Sequence, residues 1–359
     1  MSTPVRLADL TTLHLGGPAP ALSEAHTADD VKRIVGQADH TGTGVLVLGG
    51  GSNLVVADAG IDVPVVRIAI KGVRVEPATG SGPARVTIGA GENWDEVVAQ
   101  LTADGFGALA PLSGIPGSSG ATPVQNVGAY GTEIAEMLHS VTLYDRPSGA
   151  IFSAPAADLQ LRYRSSTLRG TQRGVITDIT LELTRGPVVV KYAELARTLG
   201  VQPGALAPAQ RVREAVLDLR RAKGMVLDPA DPDTRSVGSF FTNPILDADQ
   251  LARTDRAIRD RLGPEASYPR YPVPDEPAQA GRVKLSAAWL IERAGFTKGH
   301  PGPGGRVSIS GKHTLALVNR GGTTADLLAL AAQIRDGVDA AFGVRLEPEP
   351  MLIGVQLPG

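Results

Sequence analysis

The groups best placed to do chemistry in this 359-residue chain are backbone amides. From Leu112 to Gly131 the sequence runs LSGIPGSSGATPVQNVGAYG, with Gly114, Gly117, Gly120, Gly128 and Gly131 spaced through it. Glycine lets successive N–H groups turn inward and lets a ligand approach the main chain, so an anion such as a diphosphate is the natural guest. A flexible surface loop would use the same glycines. Here, however, Ile115, Val124, Val127 and Tyr130 are interleaved as packing anchors, and Pro116 and Pro123 stiffen the path. A second loop, VLVLGGGSNLVV over residues 45–56, runs from an apolar strand through Gly49, Gly50, Gly51, Ser52 and Asn53 into another apolar run that starts at Leu54. Its spacing is neither GxGxxG opening a helix nor a P-loop, because no Gly-Lys-Ser/Thr follows. Each loop alone is a weak signal. Two in one chain, separated by Gly89-Ala90-Gly91, predict a long ligand lying across several loops, such as a dinucleotide.

Side-chain chemistry is narrower. Cysteine is absent, which excludes disulfides, thiol nucleophiles and cysteine-ligated clusters. The histidines (His14, His26, His40, His139, His300 and His313) are scattered without HxH or HExxH spacing, so no metal is expected. Reactivity must come from Ser, Arg, Glu, Lys or Tyr, or from a bound organic cofactor. The net charge of −2 gives no global basic field for nucleic acid. No apolar run approaches the roughly 20 residues of a membrane span. The N-terminal MSTPVRLADL has no basic region leading into an apolar core, so a cytoplasmic location is expected.

These residues need a scaffold, and 359 residues with 42% hydrophobic content can build two or three domains. Thr27-Ala-Asp-Asp30, followed by Val31, Ile34, Val35 and Ala38, predicts a capped amphipathic helix. Strand-like segments follow at Val63–Ile70, Arg85–Ile88, Val141–Tyr144 and Val175–Leu183, with a helix marked by Trp94, Val97, Val98 and Leu101. GALAP over 204–208 reads as a linker. Val212, Val216 and Leu219 then give helical spacing, with arginines on the other face. Thr323-Thr-Ala-Asp326 caps a long helix with Leu327, Leu330, Ile334, Val338 and Phe342 along one side. Gly263–Gly281 is a Pro-rich loop and Gly299–Gly305 a Gly/Pro-rich one. The whole predicts an α+β fold.

Read in order, GGGSNLVV, GAGENWDEVV, SGIPGSSGATPVQNVGAYG, YRSS, RRAKG, VGSFFTNP, KLSAAWLIERAGFTKG and LEPEPMLIG resemble the UDP-N-acetylenolpyruvoylglucosamine reductase (MurB) family of flavoenzymes. The resemblance runs from Thr11–Gly17 to Gly354. The SGIPG…QNVGAYG and GSFFxNP runs are its specific parts. It implies a vanillyl-alcohol-oxidase-like (PCMH-type) FAD-binding fold of two subdomains, 1–70 and 71–205. A C-terminal α+β substrate-binding domain, 206–343, and a returning segment, 344–359, complete it. It also implies the reaction: NADPH reduces FAD, and the enolpyruvyl group of UDP-N-acetylenolpyruvoylglucosamine is then reduced to give UDP-N-acetylmuramate. With no Cys and no suitably placed His pair to tether the flavin, non-covalent FAD is expected. A monomer is expected.

Site residues follow from the same resemblance. Ser239 matches the family's proton donor. Alone it reads as a turn serine bonded to backbone, but Gly238 and Phe240-Phe241 fit the family motif. Arg164 matches the arginine that meets the substrate carboxylate, which its fork suits. Glu349 matches the catalytic glutamate, with Glu347 as a decoy; Pro350-Met351 stand where Val-Arg is common in the family. Arg220 and Lys223 match a basic pair over the nucleotide diphosphate, while Arg211 and Arg213 read as a solvated helix face. Asn243, Lys284 and Tyr192 match further substrate contacts. Tyr192 fits a core tyrosine nearly as well, and Trp289 a core tryptophan. For FAD, the matching positions are Gly49 to Leu54, then Gly114, Ile115, Pro116, Gly117, Ser118 and Gly120. Gln125, Asn126, Gly128, Ala129 and Tyr130 lie beside the flavin, and Val175-Ile176 on the adenine side. Two alternatives stay open at this point. An oxygen-dependent oxidase of the same fold would not need GSFFTNP or the RxxK pair, and a non-catalytic nucleotide-sugar-binding protein would not need Ser239, Arg164 and Glu349 together.

Overall fold

The structure is a computed structural model that describes residues 5–76, 82–273 and 281–359. Residues 1–4, 77–81 and 274–280, including part of the Pro-rich loop expected at Gly263–Gly281, lie outside the described residues. The chain divides into two compact units. The first holds Met1–Arg6, Pro18–Gly51 and Ile61–Leu227; the second holds Leu7–Gly17, Ser52–Gly60 and Asp228–Gly359. Both are mixtures of helix and sheet.

In the first unit, helix α1 (Ala28–Thr41) starts at the capping box of Thr27 and Asp30 and ends at Gly42, whose φ of +67° supplies the left-handed cap. Its buried Val31, Val35 and Ala38 pack with Ala25, Val66 and Ile68 of a parallel three-stranded sheet, ordered Leu22–Ala25, Val65–Ile68, Leu46–Leu48. The same core continues into a five-stranded antiparallel sheet. Its order is Ala150–Pro155, Leu138–Asp145, Gly174–Leu183, Ala84–Gly89, Val73–Glu76. Alternation of Val175, Thr177, Ile179, Leu181 and Leu183 on the inner face of its longest strand follows from the two-residue period. Helix α2 (Trp94–Ala103), capped by the Asn93 side chain, contributes Trp94, Val97, Val98 and Leu101 to that core.

A smaller core joins helices α3 (Ala193–Leu199) and α4 (Ala209–Ala222) to a two-stranded ribbon, Val188–Val189 with Leu206–Ala207. The GALAP segment is therefore not a free linker. Ala207 is buried in that cluster, and Pro208 is the residue from which α4 begins.

In the second unit, helices α5 (Ala248–Leu262), α6 (Ala287–Arg293) and α7 (Thr324–Phe342) share one core. Leu327, Leu330, Ile334, Val338 and Phe342 are buried along α7, as their spacing predicts. Trp289 belongs to this core beside Tyr268 and Phe342. Strand Leu54–Val56 pairs in parallel with Met351–Ile353, and Asp58 accepts the Thr324 and Ala325 N–H groups at the start of α7. Among the described residues no helix is long and apolar enough to cross a membrane.

The start of α7 yields a stability prediction. Thr323 and Asp326 form a reciprocal capping box, and hydrogen bonds from the Thr323 backbone and hydroxyl hold the Asp326 carboxyl below its ordinary value of 3.8. Thr323→Ala should destabilise the protein by about 1 kcal/mol at neutral pH. A depressed carboxyl stabilises above its unfolded-state value and loses that contribution as pH falls through the folded value. The gap between wild type and variant in chemical denaturation should therefore be constant from about pH 5 to 7 and narrow below about pH 4.

Candidate functional site

The two glycine loops meet in the first unit. A Cβ on Gly50 would lie 2.6 Å from Gly117 Cα and 3.0 Å from Ser118 N, and one on Gly49 would lie 2.5 Å from Ser118 Oγ. Main chain thus touches main chain, a distance only glycine permits. The Gly89-Ala90-Gly91 segment backs the second loop. Gly120 N–H donates to Ala90 O (2.9 Å), Ser119 N–H to Glu92 O (2.9 Å), and Trp94 N–H to Gly117 O (3.1 Å). At the loop's first turn, Gly114 N–H donates to Asp95 Oδ1 at 2.6 Å. That same oxygen accepts Arg213 Nη1 at 2.6 Å, while Oδ2 accepts Arg213 Nη2 at 3.2 Å. Burial raises the Asp95 carboxyl, but the Arg213 and Gly114 bonds prevail and hold it below its ordinary value. Arg213 is therefore not a solvated charge; its side chain is 12% exposed and paired with Asp95.

Arg220 lies two turns further along α4 and is buried. Its Nη2 donates to Met225 O (2.8 Å), and its Nε is buried without a hydrogen-bond partner. A Cβ on Gly114 would stand 3.3 Å from that Nε. Burial pushes the guanidinium below its ordinary value, while Tyr130 and Asp95 oppose the shift. A buried cation with an orphaned donor beside a glycine loop is a group built to meet an anion or a carbonyl. The glycines of the two loops that a methyl would obstruct fit a dinucleotide such as FAD. Lys223 pairs with Glu194 at 2.7 Å. The Tyr130 phenol, pushed up to about 12 chiefly by burial, packs edge-on against Tyr192 with ring centroids 5.7 Å apart.

Among the described residues, three of the five non-glycine residues with positive φ (Asn126, Tyr130 and Arg164) gather at the end of the glycine run. Arg164, at φ +51°, is half-buried. Its Nη2 donates to Gly128 O (2.8 Å), and its guanidinium sits 5.2 Å from the centre of the Tyr163 ring. Asn126 is fixed by its own amide: Nδ2 donates to Glu133 Oε2 (2.8 Å) and Arg162 O (3.0 Å), and Oδ1 accepts Ala135 N–H (3.1 Å). Backbone held off its preferred basins persists only where the surroundings enforce it, and such positions cluster at sites. Val175 and Ile176 are buried in the sheet core. There they pair with Tyr144 and Leu143, before the ladder to Ala84–Gly89 begins at Asp178.

Ser239 and Glu349 belong to the second unit. Gly238, at φ +75°, turns the chain into Ser239-Phe240-Phe241. Ser239 bridges to Ala316, Phe240 N–H donates to Leu315 O (2.7 Å), and Glu349 N–H donates to Phe240 O (2.8 Å). The buried Phe240 and Phe241 rings anchor the segment. The Ser239 hydroxyl is half-buried and makes no hydrogen bond among the described residues, whereas buried Ser236 accepts Gly238 N–H locally. Glu349 is half-buried and Glu347 exposed. The structure thus brings Ser239 and Glu349 onto adjoining backbone segments. Asn243 uses its side-chain oxygen to accept Ala287 N–H (2.9 Å), at the start of α6, and Lys284 stands on the strand Val283–Leu285. Sequence reasoning missed Asp95 and Glu194. Asp95 reads as an ordinary first-turn acid, and nothing local announces a partner at Arg213.

Comparison with known proteins bears on the whole chain. A family model described as UDP-N-acetylenolpyruvoylglucosamine reductase, C-terminal domain, matches residues 229–353, and one described as FAD binding domain matches residues 19–155. A UDP-N-acetylenolpyruvoylglucosamine reductase of Saccharopolyspora erythraea is 55% identical over 98% of this chain and 95% of its own length. That of Thermobifida fusca is 51% identical over 98% of each. The crystal structure of a UDP-N-acetylenolpyruvylglucosamine reductase (MurB) from Thermus caldophilus superposes with a TM-score of 0.64 at 24% identity, covering 98% of this chain and 99% of that one.

The loop contact predicts an asymmetry between neighbouring glycines. A methyl at Gly50 meets backbone, which cannot step aside, whereas one at Gly49 meets the Ser118 hydroxyl, which can rotate. Gly50→Ala should cost about 1–3 kcal/mol and abolish tight FAD uptake by the apoprotein. Gly49→Ala should do markedly less of both, as read by thermal unfolding and fluorescence titration.

Proposed function

The chain belongs to the UDP-N-acetylenolpyruvoylglucosamine reductase family, and we propose that Arg164, Ser239 and Glu349 carry its reaction while the two glycine loops hold the cofactor. That reaction is the NADPH-dependent reduction of the enolpyruvyl group of UDP-N-acetyl-3-O-(1-carboxyvinyl)glucosamine to UDP-N-acetylmuramate in peptidoglycan precursor synthesis. FAD, when bound, carries the hydride from NADPH to the enolpyruvyl double bond. We place the enzyme in the cytoplasm as a monomer.

The tasks left to the protein follow from charge. Hydride addition to an enol ether leaves negative charge on the carbon beside the carboxylate, as an enolate-like species. The site must hold that carboxylate, offset the new charge and supply one proton. Arg164 has the fork to bind a carboxylate through two N–H groups, and its left-handed backbone and contact with Gly128 O limit where that fork can go. Ser239 supplies the proton: its O–H bond breaks and a C–H bond forms. A hydroxyl is a weak acid, but a carbanion-like centre is a strong base. Glu349 assists by polarising or reprotonating the serine. The observation that carries these roles is the Phe240 carbonyl accepting the Glu349 N–H, which sets the carboxylate's segment beside that of Ser239. Arg220 and Lys223 favour the nucleotide diphosphate by charge.

Separating the half-reactions tests this reading. Ser239→Ala should still show flavin bleaching by NADPH at near the wild-type rate in stopped-flow absorbance. Reoxidation by the enolpyruvyl substrate should slow by more than the roughly 10²–10⁴ usual for acid–base assistance. Wild-type reoxidation in that variant would remove Ser239 from the mechanism.

A further inference from the structure

Asp95 has no place in the reaction just described, yet its carboxylate stands where two functional elements meet. One oxygen, Oδ1, accepts both the Gly114 N–H that opens the second glycine loop and Nη1 of Arg213 on α4, each at 2.6 Å. The second oxygen takes Arg213 Nη2, at 3.2 Å. Asp95 is itself fixed in the first turn of α2, where its N–H donates to the Asn93 side chain that caps the helix. Gly114 lies flat against α4: a Cβ there would come 3.0 Å from the Leu217 side chain and 3.3 Å from Arg220 Nε. Arg213, Leu217 and Arg220 follow one another at three- and four-residue spacing, so they form one face of α4 turned toward this loop. The charged groups facing Asp95 are Arg213, in contact, and Arg220, at longer range.

We propose that Asp95 is a positioning residue that locks the Gly114 turn of the cofactor loop to the helix carrying Arg220 and Lys223, so that one carboxylate sets both FAD retention and the placement of the phosphate-binding cations. This rests on the assignment of the loop to FAD and of Arg220 and Lys223 to the nucleotide diphosphate. Its content is a separation of effects. The Gly114 bond needs an acceptor oxygen and no charge, whereas the Arg213 bond needs the full carboxylate. Asp95→Asn can keep Oδ1 for Gly114 and Arg213 Nη1, but it removes the negative charge and turns an N–H₂ toward Arg213 Nη2, which breaks the two-pronged ion pair. Arg213→Met removes the guanidinium while keeping an apolar stem on α4, and leaves Asp95 free to hold Gly114. Asp95→Ala loses both.

The test combines FAD titration of apoprotein with steady-state kinetics on the FAD-loaded enzyme, well below each variant's unfolding temperature. Loss of a charged hydrogen bond should appear as about a tenfold or larger change. Asp95→Asn and Arg213→Met should raise KM for the UDP-sugar about tenfold, with kcat and the FAD dissociation constant within about threefold of wild type. Asp95→Ala should raise both KM and the FAD dissociation constant. Variants that lose thermal stability but keep wild-type FAD affinity and KM would show Asp95 to be merely structural and overturn the proposal. So would Asp95→Asn matching Asp95→Ala in FAD affinity. Wild-type apoprotein that takes up no FAD would overturn the functional reading along with it.

Discussion

The paired glycine loops of the first unit depend on two stretches of main chain lying closer than any side chain would allow. Gly50 stands against the main chain of Gly117 and Ser118. That contact brings together two loops from distant parts of the sequence. It also dictates what must surround them: a Gly89-Ala90-Gly91 segment flat enough to back the second loop, and a helix start at Trp94 whose N–H donates to Gly117 O. A loop so constrained presents amides in fixed directions, which suits phosphate oxygens better than flexible cations would.

Charge is arranged around that cradle with unequal satisfaction. Arg213 and Lys223 each have a carboxylate, Asp95 and Glu194, whereas Arg220 is buried with its Nε unmet. An unpaired buried guanidinium is costly in isolation, so its persistence favours a ligand group that completes it. In the second unit the residues proposed for catalysis sit on hydrogen-bonded backbone instead. Ser239 is held between Ala316 and the Glu347–Glu349 segment by main-chain bonds and by the Phe240–Phe241 pair beneath it. Its hydroxyl is thus positioned without being used for local structure.

Much of this was legible in sequence because it is local. Capping boxes at Thr27 and Thr323, the apolar face of α7, and the strands flanking the first glycine loop all follow from short-range pattern. So does the family resemblance, which rests on ordered short motifs. What sequence hid is the long-range part. Arg213 read as a solvated charge because its partner Asp95 lies on another helix. GALAP read as a linker because two residues pairing with Val188–Val189 carry no periodic signal. The parallel pairing of Leu54–Val56 with Met351–Ile353 joins segments near opposite ends of the chain. The left-handed backbone of Asn126, Tyr130 and Arg164 is likewise invisible, since none is glycine and each conformation is imposed by neighbours.

The central claim is that both glycine loops close on one cofactor. Amide hydrogen exchange of the apoprotein, with and without FAD, tests it directly by resolving residues 49–54 and 114–120 separately. The account predicts that FAD slows exchange in both segments together, at the same half-saturating concentration. Protection of one loop alone, or of neither while FAD remains bound, would contradict it.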